Sequence, residues 1–237
     1  PQARPLLRID RGAALLLGYR FKINFDAPYK SSNVAEFWRR WHISLSSWLR
    51  DYIYIPLGGS RVGTARRYFN LWITMVICGI WHGAAWSFVV FGIVQGFAVL
   101  TTHLYYKLAG KKLGEGEETD LTPSRVLAVL ATFFFTALTF VLIRTGSEPA
   151  GLEKATLIYR QVFSWQSWSG FFHALLHDRA HLGAYYPNIH RWVVLIIAGG
   201  LLVQWFPRKV YAEARDAFIK APAFVQAVLL FGVALLL

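Results

Sequence analysis

The sequence predicts an all-α, multi-pass integral membrane protein with re-entrant or interfacial helices, and three observations predict it. Hydrophobic residues make up 55% of the chain and charged residues 16%, where a soluble domain carries about 25% charged residues. Several apolar runs approach the roughly 20 residues that a helical bilayer crossing needs. Between those runs the basic residues gather in short clusters, the pattern of loops beside a membrane and not of one continuous nucleic-acid-binding face. The net charge of +12 is therefore read as topology and contact with anionic membrane lipid, and no nucleic acid is expected as a partner.

The elements justify that class in order. The apolar stretch at 13–17 is too short for a secretory signal and has no small-residue cleavage pattern, so insertion is expected to depend on internal segments. Residues 33–59, NVAEFWRRWHISLSSWLRDYIYIPLGG, begin as one amphipathic helix. At about 100° per residue, Phe37, Trp38, Trp41, His42, Leu45, Leu49 and Ile53 share one arc, while Arg39, Arg40, Arg50 and Asp51 share the other; Ile43 falls on the wrong side. Pro56, Gly58 and Gly59 end that helix, and Arg61, Arg66 and Arg67 mark a cytoplasmic loop.

Candidate crossings follow at 69–81, 84–106, 126–143, 192–206 and 223–237. The first and fourth are short, which suits tilted or re-entrant segments packed against other helices. Residues 107–123, with Lys111, Lys112, Gly114, Gly116 and the acidic Glu115, Glu117, Glu118 and Asp120, read as an aqueous loop. Residues 151–182 mix Trp165, Trp168, Phe171 and Phe172 with Lys154, Arg160, Arg179 and three histidines, a composition suited to an interfacial helix pair. The first residue is not Met and the last apolar run is too short for a full crossing, so the chain is expected to be a piece of a longer one.

Two histidines stand out chemically. On the aromatic arc, desolvation disfavours the imidazolium form of His42, which suits a general base as well as a core histidine bonded to a backbone carbonyl. His82, in GIWHGAAW, lies in an otherwise apolar run, where an ionisable group either serves a functional cavity or joins helices by hydrogen bonds. Arg39, Arg40 and Arg50 suit lipid headgroups, or the phosphates of an acyl donor.

The remaining polar features read more plainly. Gly92 and Gly96 allow a helix to pack closely, with Gln95 between them as an interhelical hydrogen-bond donor. Cys78, four residues before His82, reads as a buried small hydrophobe, with a thiolate nucleophile as the alternative. As the single cysteine it excludes a disulfide framework and a cysteine-rich zinc site. His173, His177 and His181 recur at four-residue spacing; no cysteine completes a metal set beside them, Asp178 points elsewhere on the wheel, and no metal is expected.

FWRRWHISLSSWLRDYIYIPLGG followed by GIWHGAAW resembles the membrane-bound O-acyltransferase family, and within it the bacterial alginate O-acetyltransferase branch. The likeness runs from residue 12, through LLGYRFKINFDAPY, to residue 163, taking in the helix at 126–144 and EKATLIYRQVF; beyond that it is loose. The resemblance implies the C-terminal half of a larger helical membrane protein: one partial domain over 1–237, with a motif-bearing core at 33–106, the aqueous loop at 107–123 and C-terminal helices at 124–237.

It further implies that His42 and His82 are the family's two characteristic histidines. Acetyl would come from a cytoplasmic donor, acetyl-CoA, as a substrate and not a bound cofactor. It would pass across the bacterial inner membrane to an exported polysaccharide such as alginate, with a periplasmic acetyltransferase as partner. His82 would act as general base and His42 would orient a reactant or stabilise developing charge, or the two roles would be exchanged. Trp38, Trp41, Trp81 and Trp86 would wall an acyl tunnel against water, and Asp51 is a minor candidate for polarising a histidine. The competing class is a non-catalytic membrane scaffold or export channel whose histidines join helices or line a pore.

Overall fold

The computed structural model describes residues 23–111, 113, 122–170, 199–200 and 208–228. They belong to two compact units, one spanning 24–197 and the other joining 1–23 to 198–237. Among the described residues every regular element is helical and no strand occurs, as the composition predicts.

The larger unit carries all the motifs. A 3-10 turn, Pro28–Lys30, precedes α1, Val34–Arg40, and α2, Ile43–Leu49, which runs on into a π-helical turn, Arg50–Tyr54. Then come α3, Thr64–Trp81, α4, Trp86–Leu108, α5, Pro123–Gly146, and α6, Gly151–Val162. In the smaller unit the described residues form α7, Arg208–Lys220, and a further helical turn at 223–228.

Two of these helices are long and apolar enough to cross a membrane: α4 with 23 residues and α5 with 24. At about 1.5 Å per residue each is about 35 Å long, against a hydrocarbon core of roughly 30 Å. They correspond to the expected crossings at 84–106 and 126–143. The expected short crossing at 69–81 is the apolar part of α3, which starts earlier, at Thr64, and draws Arg66 and Arg67 into its first turn. The segment 192–206 and residues 229–237 of the last run lie outside the described residues, apart from 199–200, as do Lys112 and the acidic part of the 107–123 loop, residues 114–121.

The α3–α4 hairpin is close because glycines remove side chains from its seam. A Cβ built on Gly92 would meet Met75 O at 2.7 Å and Val76 Cα at 2.9 Å, and one on Gly79 would run into the Phe88 carbonyl oxygen. At Gly96 a Cβ would stand 2.7 Å from the Trp72 ring. The Gly92-x-x-x-Gly96 reading is thus realised within this chain, between consecutive helices. Helix α5 packs on α4, α6 packs on α5, and the short α1 lies across α4. The core is the seam of that bundle, where Phe37, Trp38, Leu49, Cys78, Phe91, Val99, Leu142 and Ala155 cluster.

The motif segment departs from expectation. The single helix read over 33–53 is broken at Trp41 and His42, where α1 stops and α2 starts afresh. The cause lies outside the segment, in partners that residues 24–26 offer to the two new helix ends. Beyond α6, a helical turn at 165–170 is described, tied back by Trp168 Nε1 donating to Val162 O at 2.6 Å. Phe171, Phe172, His173, His177, Asp178, Arg179 and His181 lie outside the described residues.

Candidate active site

The site grows from the break between α1 and α2. Asn33 caps α1 by accepting from Glu36 N at 2.7 Å, a standard use of a short polar side chain at a helix start. After Arg40 the backbone turns extended at Trp41, and His42 takes the left-handed conformation, φ 46° and ψ 53°. For a residue with a Cβ that conformation costs about 1–2 kcal/mol, so its neighbours must hold it.

The preceding segment does so. Asp26 N donates to Arg40 O at 2.8 Å, and Ile43 N donates to Asn24 O at 2.8 Å. Asn24 Oδ1 accepts from both Ser44 N, at 3.0 Å, and Ser44 Oγ, at 2.9 Å. Both orphaned helix ends therefore find partners in the two residues that flank Phe25. Ser46 Oγ closes the corner, donating to Trp38 O at 3.2 Å.

His82 sits just past the end of α3, in the tight turn to α4, not inside a spanning helix as its apolar context suggests. Its N–H donates to Gly79 O at 3.0 Å, and Gly83 follows with φ 151°, a conformation that glycine tolerates. The Phe88 ring occupies the space a Gly83 Cβ would need, 2.7 Å away. This turn brings the His82 imidazole over Phe88 at 6.0 Å, near parallel, and edge-on to Phe91 at 6.0 Å.

Trp81 then joins the two histidines. Its ring lies 5.0 Å from His82 and 6.0 Å from His42, edge-on to both. Burial pushes the His82 imidazole below the ordinary histidine range, and the nearby His42 pushes it further the same way. His42 Nδ1 is buried and has no hydrogen-bond partner among the described residues. A neutral imidazole beside a second, unpartnered ring nitrogen is an arrangement able to accept one proton and hold one polar group.

An aromatic layer backs this pair. Phe37 stacks on Trp41 at 5.5 Å, Phe140 meets Trp41 at 5.2 Å, and Phe91 meets Trp38 at 6.4 Å. Through this layer runs a buried polar chain: Trp38 Nε1 donates to Gln95 Oε1 at 3.1 Å, and Gln95 Nε2 donates to Thr139 Oγ1 at 2.8 Å. Gln95 is the interhelical donor its position suggests.

The other expected site residues part company. Trp38 is a core residue, Trp41 is half-buried in the layer, Trp81 is 53% exposed, and Trp86, the first residue of α4, is 75% exposed. Arg39 is exposed. Arg40 turns inward to the Glu36 carboxylate at 2.8 Å, with Glu36 only 1% exposed, so its charge serves a buried ion pair. Asp51 accepts from Arg50 Nε at 2.8 Å. Cys78 is fully buried in the apolar cluster, as its bland reading requires.

Sequence reasoning missed Asn24, Phe25 and Asp26. Phe25 lies 4.7 Å from Trp41 and 6.0 Å from His42. The available signal was N-F-D in a non-helical stretch, two cap-forming residues with no helix directly after them.

The family model for the membrane-bound O-acyltransferase family matches residues 9–145. The chain is 41% identical over 142 residues to a peptidoglycan O-acetyltransferase of Helicobacter pylori, covering 60% of this chain and 26% of that protein. It is 38% identical over 157 residues to a probable alginate O-acetylase, AlgI, of Pseudomonas aeruginosa, covering 66% and 28%. It is 29% identical over 143 residues to a teichoic acid D-alanyltransferase of Bacillus subtilis, covering 54% and 34%. The matched stretch thus spans about a third or less of each of these relatives. With more than half of its residues inside the family model, both histidine motifs among them, the chain belongs to the membrane-bound O-acyltransferase family.

Proposed function

We propose that this chain is part of an O-acetyltransferase of the bacterial inner membrane, a multi-pass protein that moves acetyl from cytoplasmic acetyl-CoA toward an exported polysaccharide. The observation that carries the reading is the pair of imidazoles that both meet the Trp81 ring edge-on, one at the end of α3 and the other at the α1–α2 break. Acetyl is favoured over D-alanyl because the two O-acetylating relatives are 41% and 38% identical and the D-alanyl one 29%. A polysaccharide acceptor such as alginate or peptidoglycan follows from the same relatives' names.

In this reading His82 acts as general base. It takes the proton from an attacking hydroxyl as the new C–O bond forms at the thioester carbonyl. The C–S bond then breaks, and the proton passes from the imidazolium to the departing thiolate. His42, whose buried Nδ1 has no partner among the described residues, orients a reactant or stabilises the developing charge. Trp38 and Trp41 back the site, and Trp81 and Trp86 offer exposed rings toward whatever completes an acyl passage and keeps out water. The exposed Arg39 would meet a donor phosphate, whereas Arg40 is turned to Glu36. A periplasmic acetyltransferase would take the acetyl group onward.

The test is to replace His42 and His82 singly by Ala in the full-length protein and measure polymer acetylation beside the amount of protein in membranes. The reading requires acetylation to vanish at wild-type protein levels. Acetylation retained in both variants would overturn it and leave a scaffold or export component as the better account.

A further inference from the structure

We infer that Asn24 is a positioning residue for His42, acting through the left-handed corner and not through contact with substrate; this rests on the catalytic reading of His42. The corner is held from one side by a tripeptide with three distinct tasks. The Asn24 carbonyl and side chain accept from Ile43 N, Ser44 N and Ser44 Oγ, which starts α2 directly after His42. Asp26 N donates to Arg40 O and finishes α1 two residues before His42. Between them Phe25 lays its ring against Trp41 and faces the His42 imidazole at 6.0 Å.

Without those partners the cheapest course for residues 34–49 is a continuous helix. Its apolar and polar residues sort onto two arcs of one helix, and the break leaves helix-end N–H and C=O groups that need partners elsewhere. In a continuous helix His42 would leave φ 46° for the right-handed region, and its ring would swing off the Trp81 edge it now meets at 6.0 Å. Displacing a reacting group by about 1 Å costs on the order of a hundredfold in rate. Asn24 therefore sets the direction of the imidazole, while Trp81 and Phe25 set its surroundings.

The experiment compares Asn24→Ala with Asn24→Asp in the full-length protein, reading acetyl transfer over a range of acetyl-CoA concentrations together with membrane accumulation. Asn24→Ala removes the acceptor for both Ser44 groups. It is expected to lower kcat ten- to a hundredfold with KM for the donor within about twofold and protein levels close to wild type. Asn24→Asp keeps a side-chain oxygen at the same reach and is expected to recover most of kcat.

Wild-type kcat in Asn24→Ala, alongside a dead His42→Ala, would overturn the inference while leaving the catalytic reading intact. An active His42→Ala would remove that reading itself. If Asn24→Ala fails to accumulate, Asn24→Gln, which shifts the acceptor by one methylene, takes its place: a lowered kcat supports the inference and an unchanged one overturns it. If neither accumulates, the inference also falls, because a residue the fold cannot do without is not a positioning residue.

Discussion

Trp38 Nε1 donates to Gln95 Oε1 at 3.1 Å, and this one bond ties the short motif helix α1 to the membrane-length helix α4. Gln95 is fully buried and spends its other end on Thr139 of α5, so three helices meet in a single amide. Gln95→Leu strands the indole N–H in an apolar setting and removes the Thr139 contact. A loss of about 0.5–2 kcal/mol is expected, the range for hydrogen bonds between packed membrane helices. Thr139→Val should cost less, because it removes one of the two bonds of Gln95 and leaves the bond to Trp38 in place. Thermal unfolding in detergent measures both, and equal losses would contradict the assignment.

The hairpin seam makes a sharper steric prediction. Gly92→Ala places a methyl group against the backbone of Met75 and Val76, which cannot rotate away. Helices α3 and α4 must part, at about 1–3 kcal/mol, and His82 in the connecting turn moves with them. Gly170→Ala is the control, since a Cβ there meets nothing within 4 Å. Protein recovered from membranes and melting temperature should fall for the first and hold for the second.

Arg40 separates packing from substrate binding. Its side chain is 14% exposed beside a Glu36 side chain at 2%, and Glu36 also accepts from Ser32 N and Ser32 Oγ. Arg40→Ala leaves that carboxylate buried without its cation, at about 3–5 kcal/mol. Less folded protein is expected, with an unchanged KM for the acyl donor in what remains. A raised KM at normal protein levels would return Arg40 to the donor site.

These residues also mark what was legible in the sequence and what was not. Composition and run length announced α4 and α5, because lipid demands long apolar helices whatever they pack against. The glycine spacing and Gln95 were legible for a related reason, since a small residue or an amide in such a helix has few uses other than a close seam or a cross-helix bond. The corner at His42 was hidden. A helical wheel assumes that the helix continues, and nothing within 33–53 contradicts it; the termination is imposed by Asn24 and Asp26, 18 and 16 residues upstream of His42. The wheel still put His42 on the aromatic side, because the few residues nearest the break keep their neighbours whether or not the helix is continuous. Arg40 fell on the polar arc for the same reason, and its inward turn depends on Glu36, whose burial no periodicity reveals.

His82 gives a pH dependence with a definite sign. Burial first, and His42 second, hold its folded-state pKa below the ordinary 6.5. Above pH 6.5 folded and unfolded chains both carry it neutral. As pH falls below 6.5 the unfolded chain takes up the proton first, so stability drops until the folded-state pKa is passed, and then levels off. If His82 is the general base proposed above, acetyl transfer should lose rate over the same acidic window as that base becomes protonated. His82→Gln should flatten the stability profile and lower kcat by about 10²–10⁴, and an acid limb above pH 6.5 would contradict this placement.

The strained backbone at His42 sets function against stability. At φ 46° a Cβ costs about 1–2 kcal/mol, a penalty that glycine escapes. His42→Ala keeps the penalty and loses the ring contacts with Phe25 and Trp81, whereas His42→Gly loses the same contacts and sheds the penalty. The glycine variant is therefore expected to be more stable than the alanine variant by about 1 kcal/mol, and both are expected to be inactive. If the corner existed only for packing, glycine would serve as well as histidine and acetylation would persist. Strain kept where glycine would relieve it, beside a ring nitrogen with no partner among the described residues, is expected of a residue retained for its imidazole.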